Sequence, residues 1–364
     1  MMDYIIILLF VLVESFLLYR YYKTRKFFFL SAFWVIAVLF CAGRKIIPNV
    51  ENCDAYYYQN FYDAAANRSF SSYMKSMGGR EYLFYGFFWL CQKMNLSYTV
   101  VRVLIYSIMT AISVAIIKQT DIKAARYSDF WFLMTNFVLS YCLMRNTLAY
   151  LIGWLAILYC LKKKYLGALV LAIVGTLIHS TCIVIIAFIL FFLVVDFVKN
   201  IYLIFLGAVV SYSLVIYLFP IILMFLGETN DKVAYYLDVT TNGSFALLTN
   251  LTRIGILIIL IIGYKRQEWF KNSYQYKRII LLILFSFSVI FAQLVNGVAY
   301  RFLAYFNVIN IISFSFMREN KCDRKISIGI IDIKDIFMIL VNVLWLIMFM
   351  RRDILGYGLI PIFE

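Results

Sequence analysis

Apolar runs long enough to cross a bilayer recur along this chain from Asp3 to Met350, broken by short basic stretches. In hydrocarbon every backbone N–H and C=O must find its partner inside the protein, so a chain built of such runs is restricted to helices or a closed barrel. The runs are continuous and lack period-two alternation, which selects helices. With 64% hydrophobic and only 15% charged residues, an ordinary soluble domain is excluded. The expected fold is all-α: a polytopic bundle of transmembrane helices, one integral membrane domain over 1–364. The first run follows Asp3 rather than a basic segment and has no small-residue cleavage site, so the first helix is expected to be retained.

A net charge of +15 invites a nucleic-acid reading, but most lysines and arginines fall in short loops between spans. Such placement sets membrane orientation and favours anionic headgroups, so the expected surroundings are membrane lipids and no nucleic acid. The loop Arg20–Lys26 carries four cations and no acid, which puts it in the cytoplasm and the N-terminus outside. Spans then follow at Asp3–Tyr19, Phe27–Gly43, Thr99–Ile117, Tyr127–Leu143, Thr147–Leu161, Tyr165–Ile178, Thr181–Val195, Ile201–Leu226, Leu248–Tyr264, Ile279–Val295, Phe302–Met317 and Asp335–Met350. That is about twelve crossings. Two extracytoplasmic segments, 44–98 and 227–247, would cover an outward-facing pocket. Within the first, Tyr82–Leu96 is apolar but short, and an interfacial or re-entrant helix keeps the later basic loops inside.

On this topology seven ionisable residues share one side of the membrane: Asp54, Glu81, Arg102, Arg145, His179, Arg253 and Arg301. Charged groups at the lip of an apolar span are costly and are functional candidates for that reason. The stretch from Arg145 to His179 sets the pattern, two apolar runs hinged on Lys162-Lys163-Lys164 with the arginine at one far end and the only histidine at the other. A histidine there can accept or donate a proton, against the plainer role of bonding a nearby carbonyl. Arg145 and Arg301 each open an inward-running helix, where a guanidinium suits bidentate binding of pyrophosphate oxygens; Arg253 is a weaker third. The plainer alternative is an interfacial arginine reaching for water. Asp54 stands before Tyr57 and Tyr58 and Glu81 before Tyr82, so these tyrosines are candidate sugar platforms beside carboxylates, and Tyr305, one turn below Arg301, is a further sugar-binding candidate. Most of the 29 tyrosines are better explained as an interfacial belt.

No phosphate-binding P-loop, dinucleotide-binding turn or closely spaced acidic pair appears, so neither a cofactor nor a metal is expected. The seven cysteines are scattered without a CxxC pair. A bridge between Cys53 and Cys91 is compatible with the topology, although buried thiols are commoner.

Asp54 with Tyr58, Glu81 heading an aromatic helix, Arg145-Asn146 followed by Ala149, the turn Ile178-His179-Ser180, and Arg301-Phe302 with Tyr305-Phe306 together resemble the EpsG branch of the Wzy-type polymerases. Those are bacterial enzymes of capsule, exopolysaccharide and O-antigen assembly. Family members often carry Arg-Gln where this chain has Arg145-Asn146, a departure that leaves the arginine in place. The resemblance covers about residues 50 to 316. It implies a glycosyltransferase of the bacterial cytoplasmic membrane that joins oligosaccharide repeat units carried on undecaprenyl pyrophosphate, without a metal. A chain-length regulator protein is a further partner of that setting. The catalytic set it implies is His179, Arg145, Arg301, Asp54 and Glu81. The alternatives are a flippase or exporter of lipid-linked oligosaccharide, which would want cations lining a path through the whole membrane, and an O-antigen ligase-type glycosyltransferase, which differs in product alone. An acyltransferase using His179 lacks a second polar partner beside it.

Overall fold

The computed structural model describes residues 2–44, 46, 54–120, 130, 133–134, 137, 140, 143–197, 251, 254–255, 278–283, 285–286, 302, 304–309, 311–312, 327–328, 331–332, 340 and 343. Its helices are α1 (Met2–Thr24), α2 (Phe27–Ala42), α3 (Ala55–Asp63), α4 (Phe70–Ser76), α5 (Tyr82–Lys93), α6 (Tyr98–Gln119), α7 (Met144–Leu161), α8 (Tyr165–Ile178) and α9 (Ile183–Phe197). The one strand pairing among the described residues is a minimal antiparallel pair, Ser327–Ile328 with Ile331–Asp332.

Three of these helices are long and apolar enough to cross a bilayer: Ile5–Thr24 within α1, Tyr98–Gln119 and Met144–Leu161. Phe27–Ala42, Tyr165–Ile178 and Ser180–Val194 are apolar but shorter. The outer face of α8 makes its solvent plain. Leu166, Val170, Ile173 and Leu177 are exposed at helical spacing, a stripe that suits lipid and that water would penalise. Ile5, Leu9 and Phe16 do the same on α1. The chain is a helical membrane protein. The expected spans between residues 199 and 250, and most of those beyond, lie outside the described residues.

Two boundaries differ from the sequence reading. α1 continues through Arg20 to Thr24 instead of stopping at Tyr19, because nothing in Arg20–Lys23 breaks a helix and arginine and lysine are good helix formers. The chain turns only at Arg25, which sits at φ 57°. The extracytoplasmic segment after α2 holds the expected short helix, α5, and two more ahead of it, α3 and α4. Ser69 and Ser97 cap α4 and α6 with their hydroxyls, accepting from Ser72 N and Val100 N. α5 has twelve residues, about 18 Å at 1.5 Å per residue, well short of a hydrocarbon core of about 30 Å.

The described chain divides into two compact units: Met1–Leu155 with Leu171–Ser180 and Lys325–Glu364, and Ala156–Val170 with Thr181–Arg324. In the first, α3, α4 and α5 share an aromatic core. Tyr58 meets Phe84 edge-on, Tyr62 meets Phe88, and Phe61 and Tyr73 both meet Tyr85. The phenols are tied to backbone, Tyr73 donating to Phe61 O at 2.9 Å and Tyr62 to Leu96 O. These tyrosines build the fold. Cys91 is a free buried thiol, and Cys53, the other member of the bridge weighed from the sequence, lies outside the described residues. Arg102, a candidate by sidedness, donates to Cys41 O at 2.8 Å and Arg44 O at 3.0 Å and so closes the C-terminal end of α2.

In the second unit the Lys162–Lys164 turn follows from helix-ending geometry. Lys163 adopts φ 60°, and Lys164 N donates to Tyr159 O at 2.9 Å. Gly167 lets the Tyr159 ring lie against the next helix, since a Cβ there would stand 2.8 Å from the ring. Arg278 binds the last carbonyls of the helix, donating to Cys160 O at 2.6 Å and Leu161 O at 2.9 Å, and also to the Tyr165 hydroxyl. Its guanidinium lies over the rings of Tyr165 and Phe192. Removing it takes the side-chain donor from Leu161 O and leaves Cys160 O with Lys163 N, at 2.9 Å, as its donor, so Arg278→Ala is expected to cost about 2 kcal/mol of stability and Arg278→Lys somewhat less. Thermal unfolding of the purified protein in detergent measures this, and an unchanged Tm for the alanine variant would show that water or lipid takes over the carbonyls.

Candidate functional site

Glu81 is the N-cap residue of α5, yet it does not cap that helix. Its backbone sits in the left-handed region, φ 58° and ψ 46°, which costs a non-glycine residue about 1–2 kcal/mol and persists only where the surroundings impose it. Two glycines in the same region, Gly78 at φ 82° and Gly79 at φ 63°, bring the chain into this turn. The carboxylate is thereby turned away from its own helix and toward two others.

At the start of α7, Arg145 meets it. Arg145 Nη1 donates to Glu81 Oε2 at 2.5 Å and to the Tyr85 hydroxyl at 2.5 Å. The guanidinium carbon lies 5.6 Å from the centroid of the Tyr85 ring and 5.9 Å from that of Tyr58. Aromatic faces of this kind hold a cation and exclude water from it. Both of these hydrogen bonds leave from Nη1, while the buried Nε has no hydrogen-bond partner among the described residues. An unpaired buried donor is costly unless something satisfies it in use. Asn146 Oδ1 and Thr147 Oγ1, the next two side chains, are likewise enclosed without a partner among the described residues.

His179 closes α8, its backbone N–H donating to Gly175 O at 2.8 Å. Its ring is buried, and Nδ1 stands 3.7 Å from Glu81 Oε1, within ion-pair range and too long for a hydrogen bond. The N–H of Ser180 reaches the same oxygen at 3.3 Å. One carboxylate therefore holds the arginine with one oxygen and faces the histidine with the other. The residues come from positions 81, 145 and 179, and all belong to the first unit.

Asp54 supports this arrangement from α3, accepting from the Tyr58 hydroxyl at 3.2 Å. Burial pushes the Tyr58 phenol well above its ordinary value, Asp54 adds to the rise, and Arg145 opposes it. Burial also raises Tyr85, again against the pull of Arg145. Both phenols stay protonated at neutral pH, which lets Tyr85 keep its own proton while it accepts from Arg145.

Of the expected sugar platforms, Tyr57 and Tyr82 are exposed, at 54% and 49%, and their rings remain available. Tyr58 and Tyr305 require correction. Tyr58 is 1% exposed, with one neighbour the Arg145 guanidinium and another the Phe84 ring, so it is part of the arginine's cage. Tyr305 is fully buried in the second unit, its hydroxyl 3.1 Å from Thr181 Oγ1. Neither ring can lie on a sugar without unpacking. Arg301 and Arg253 lie outside the described residues. Among the described residues no three His, Cys, Asp or Glu side chains gather as a metal ion would require.

Two residues escaped the sequence reading. Tyr85 stands one helical turn after Glu81, a spacing that marks shared-face neighbours and was legible. Glu14 sits mid-way along α1, fully buried, with neither carboxyl oxygen hydrogen-bonded among the described residues. A carboxyl inside an apolar run was its signal.

The family model for EpsG matches residues 31–361, a span that takes in Asp54, Glu81, Arg145, His179, Arg253 and Arg301. No curated protein and no solved structure matches the chain.

Proposed function

Because this chain belongs to the EpsG family, membrane proteins with a polymerase-type part in polysaccharide biosynthesis, we propose that it joins oligosaccharide repeat units carried on undecaprenyl pyrophosphate at the outer face of the bacterial cytoplasmic membrane. The observation that carries this reading is the placing of a caged arginine and a buried histidine on the two oxygens of one carboxylate. The wider frame of the proposal is a bundle of about twelve spans with the site open to the exterior.

In the reaction an acceptor hydroxyl oxygen forms a bond to the anomeric carbon of the donor sugar, and the bond from that carbon to the pyrophosphate oxygen breaks. The electron pair leaves with the lipid pyrophosphate, where charge grows. Arg145 would stabilise that charge in a site poor in water, the setting in which preplaced donors are most effective. The acceptor proton passes to His179. Glu81 keeps the imidazole oriented, as a carboxylate does for a histidine base elsewhere. Asp54 and Tyr58 hold the arginine from behind, and the exposed rings of Tyr57 and Tyr82 offer faces to the sugars.

Deletion followed by sizing of the surface glycan tests the function. A ladder collapsed to single repeat units, with lipid-linked units accumulating on the outer leaflet, is the expected result. Accumulation on the inner leaflet would identify an exporter instead, and intact polymer that fails to reach its final acceptor would identify a ligase.

A further inference from the structure

The carboxylate of Glu81 is shared unequally. It lies 2.5 Å from Arg145 and 3.7 Å from His179, with Ser180 N–H at 3.3 Å on the histidine side. A charge-assisted N–H···O bond settles at about 2.7–2.9 Å, so the histidine is roughly 1 Å from a full bond. We propose that Glu81 is the displaceable counter-ion of Arg145, and that a diphosphate arriving at this guanidinium drives the carboxylate onto His179. The proposal rests on the reading of Arg145 as the diphosphate site.

Three observations support the hand-over. Among the described residues Arg145 makes two side-chain hydrogen bonds, both from Nη1, and its buried Nε has no partner, so the edge of the guanidinium that includes Nε has a donor left for an anion while Glu81 is still in place. An anion bound there sits on the same small cation as Glu81, and two like charges sharing one partner repel. The carboxylate has one prepared destination, since its other oxygen already faces His179 and the Ser180 N–H. Its backbone is fixed at a left-handed turn, which leaves the side-chain torsions to make the move.

Such a move couples the two halves of the reaction. Glu81 neutralises Arg145 while the site is empty, as a buried cation requires. When the donor's diphosphate takes over that duty, the released carboxylate tightens on the imidazole and makes it a better proton acceptor. The acceptor hydroxyl is then deprotonated only while a leaving group is held. Glu81 is thereby a positioning residue, and it fixes the order of binding, donor before acceptor.

His179 is the only histidine of the chain, so ring-nitrogen labelling of histidine yields a signal from this residue alone. Full-length wild type, Glu81→Gln and Arg145→Ala in detergent are titrated first with inorganic pyrophosphate and then with undecaprenyl pyrophosphate. Binding and the His179 ¹⁵N resonances are followed together. Pyrophosphate is expected to shift the His179 resonances in wild type and to leave them unmoved in Glu81→Gln. That variant should bind the diphosphate about tenfold more tightly, having lost the competing charge, while polymerising at least tenfold more slowly. If wild type binds diphosphate but Glu81→Gln binds no tighter, or if His179 shifts equally in both, the hand-over is overturned and the site stands. If Arg145→Ala binds diphosphate as well as wild type does, both the site and the hand-over fall. The resonance of His179 in diphosphate-free Glu81→Gln reports whether the variant has kept its fold, and a folded Arg145→Lys supplies the comparison should Arg145→Ala collapse.

Discussion

Arg145→Ala is expected to reduce polymer formation by a hundredfold or more while the protein still inserts in the membrane. A single preplaced donor at a site of developing charge contributes about 3–4 kcal/mol, and each 1.4 kcal/mol is a factor of ten in rate. Arg145 is such a donor: buried in large part, held by Glu81 and Tyr85, and floored by two aromatic rings. The substitution has a second effect, because it leaves Glu81 without its counter-ion in a partly buried site. Pairing it with Glu81→Gln removes that penalty, so the double variant should recover protein level without recovering polymer. Arg145→Lys keeps the charge but loses the planar fork and the stacking on Tyr58 and Tyr85, and an intermediate rate is expected. Sizing of surface glycan beside immunoblotting of membranes measures both quantities. Polymer of normal length from Arg145→Ala would remove the arginine from the mechanism. Arg301→Ala, read from the sequence alone, carries the same expectation.

His179→Ala should slow polymerisation by about a hundredfold to ten-thousandfold, the span typical of losing a positioned general base. The ring is buried at the end of α8 and faces Glu81, so its loss removes the proton acceptor and leaves the arginine pair intact. That difference separates the two variants: His179→Ala should still bind undecaprenyl pyrophosphate, whereas Arg145→Ala should not. A His179→Ala protein working within a few-fold of wild type would hand the base role to Asp54 or to water.

More of the candidate site than of its wiring was legible in the chain. Arg145, His179 and Glu81 could be picked out because each is an ionisable group bordering an apolar run, a placement that membrane energetics penalises. Arg102 and Arg278 carry the same cost, yet both bind the carbonyls at a helix end. Charge at a boundary has two uses, and only the partner atoms distinguish them. Tyr58 stands differently from its expected role for a related reason, since an aromatic ring beside an acid has the same letter whether its face meets a sugar or a guanidinium; Tyr305 is buried with its hydroxyl at Thr181.

What the chain alone determined is its class and its helices: apolar length dictates membrane helices, because hydrocarbon leaves the backbone no other partner, and Tyr165–Ile178 came out residue for residue. The pairing of Glu81 with Arg145 and His179 was decided only by the tertiary structure. Those residues are 64 and 98 positions from Glu81, and the carboxylate reaches them through a left-handed turn that its neighbours impose. Periodicity reports which face of a helix is apolar; it is silent on which polar group, far along the chain, arrives opposite it.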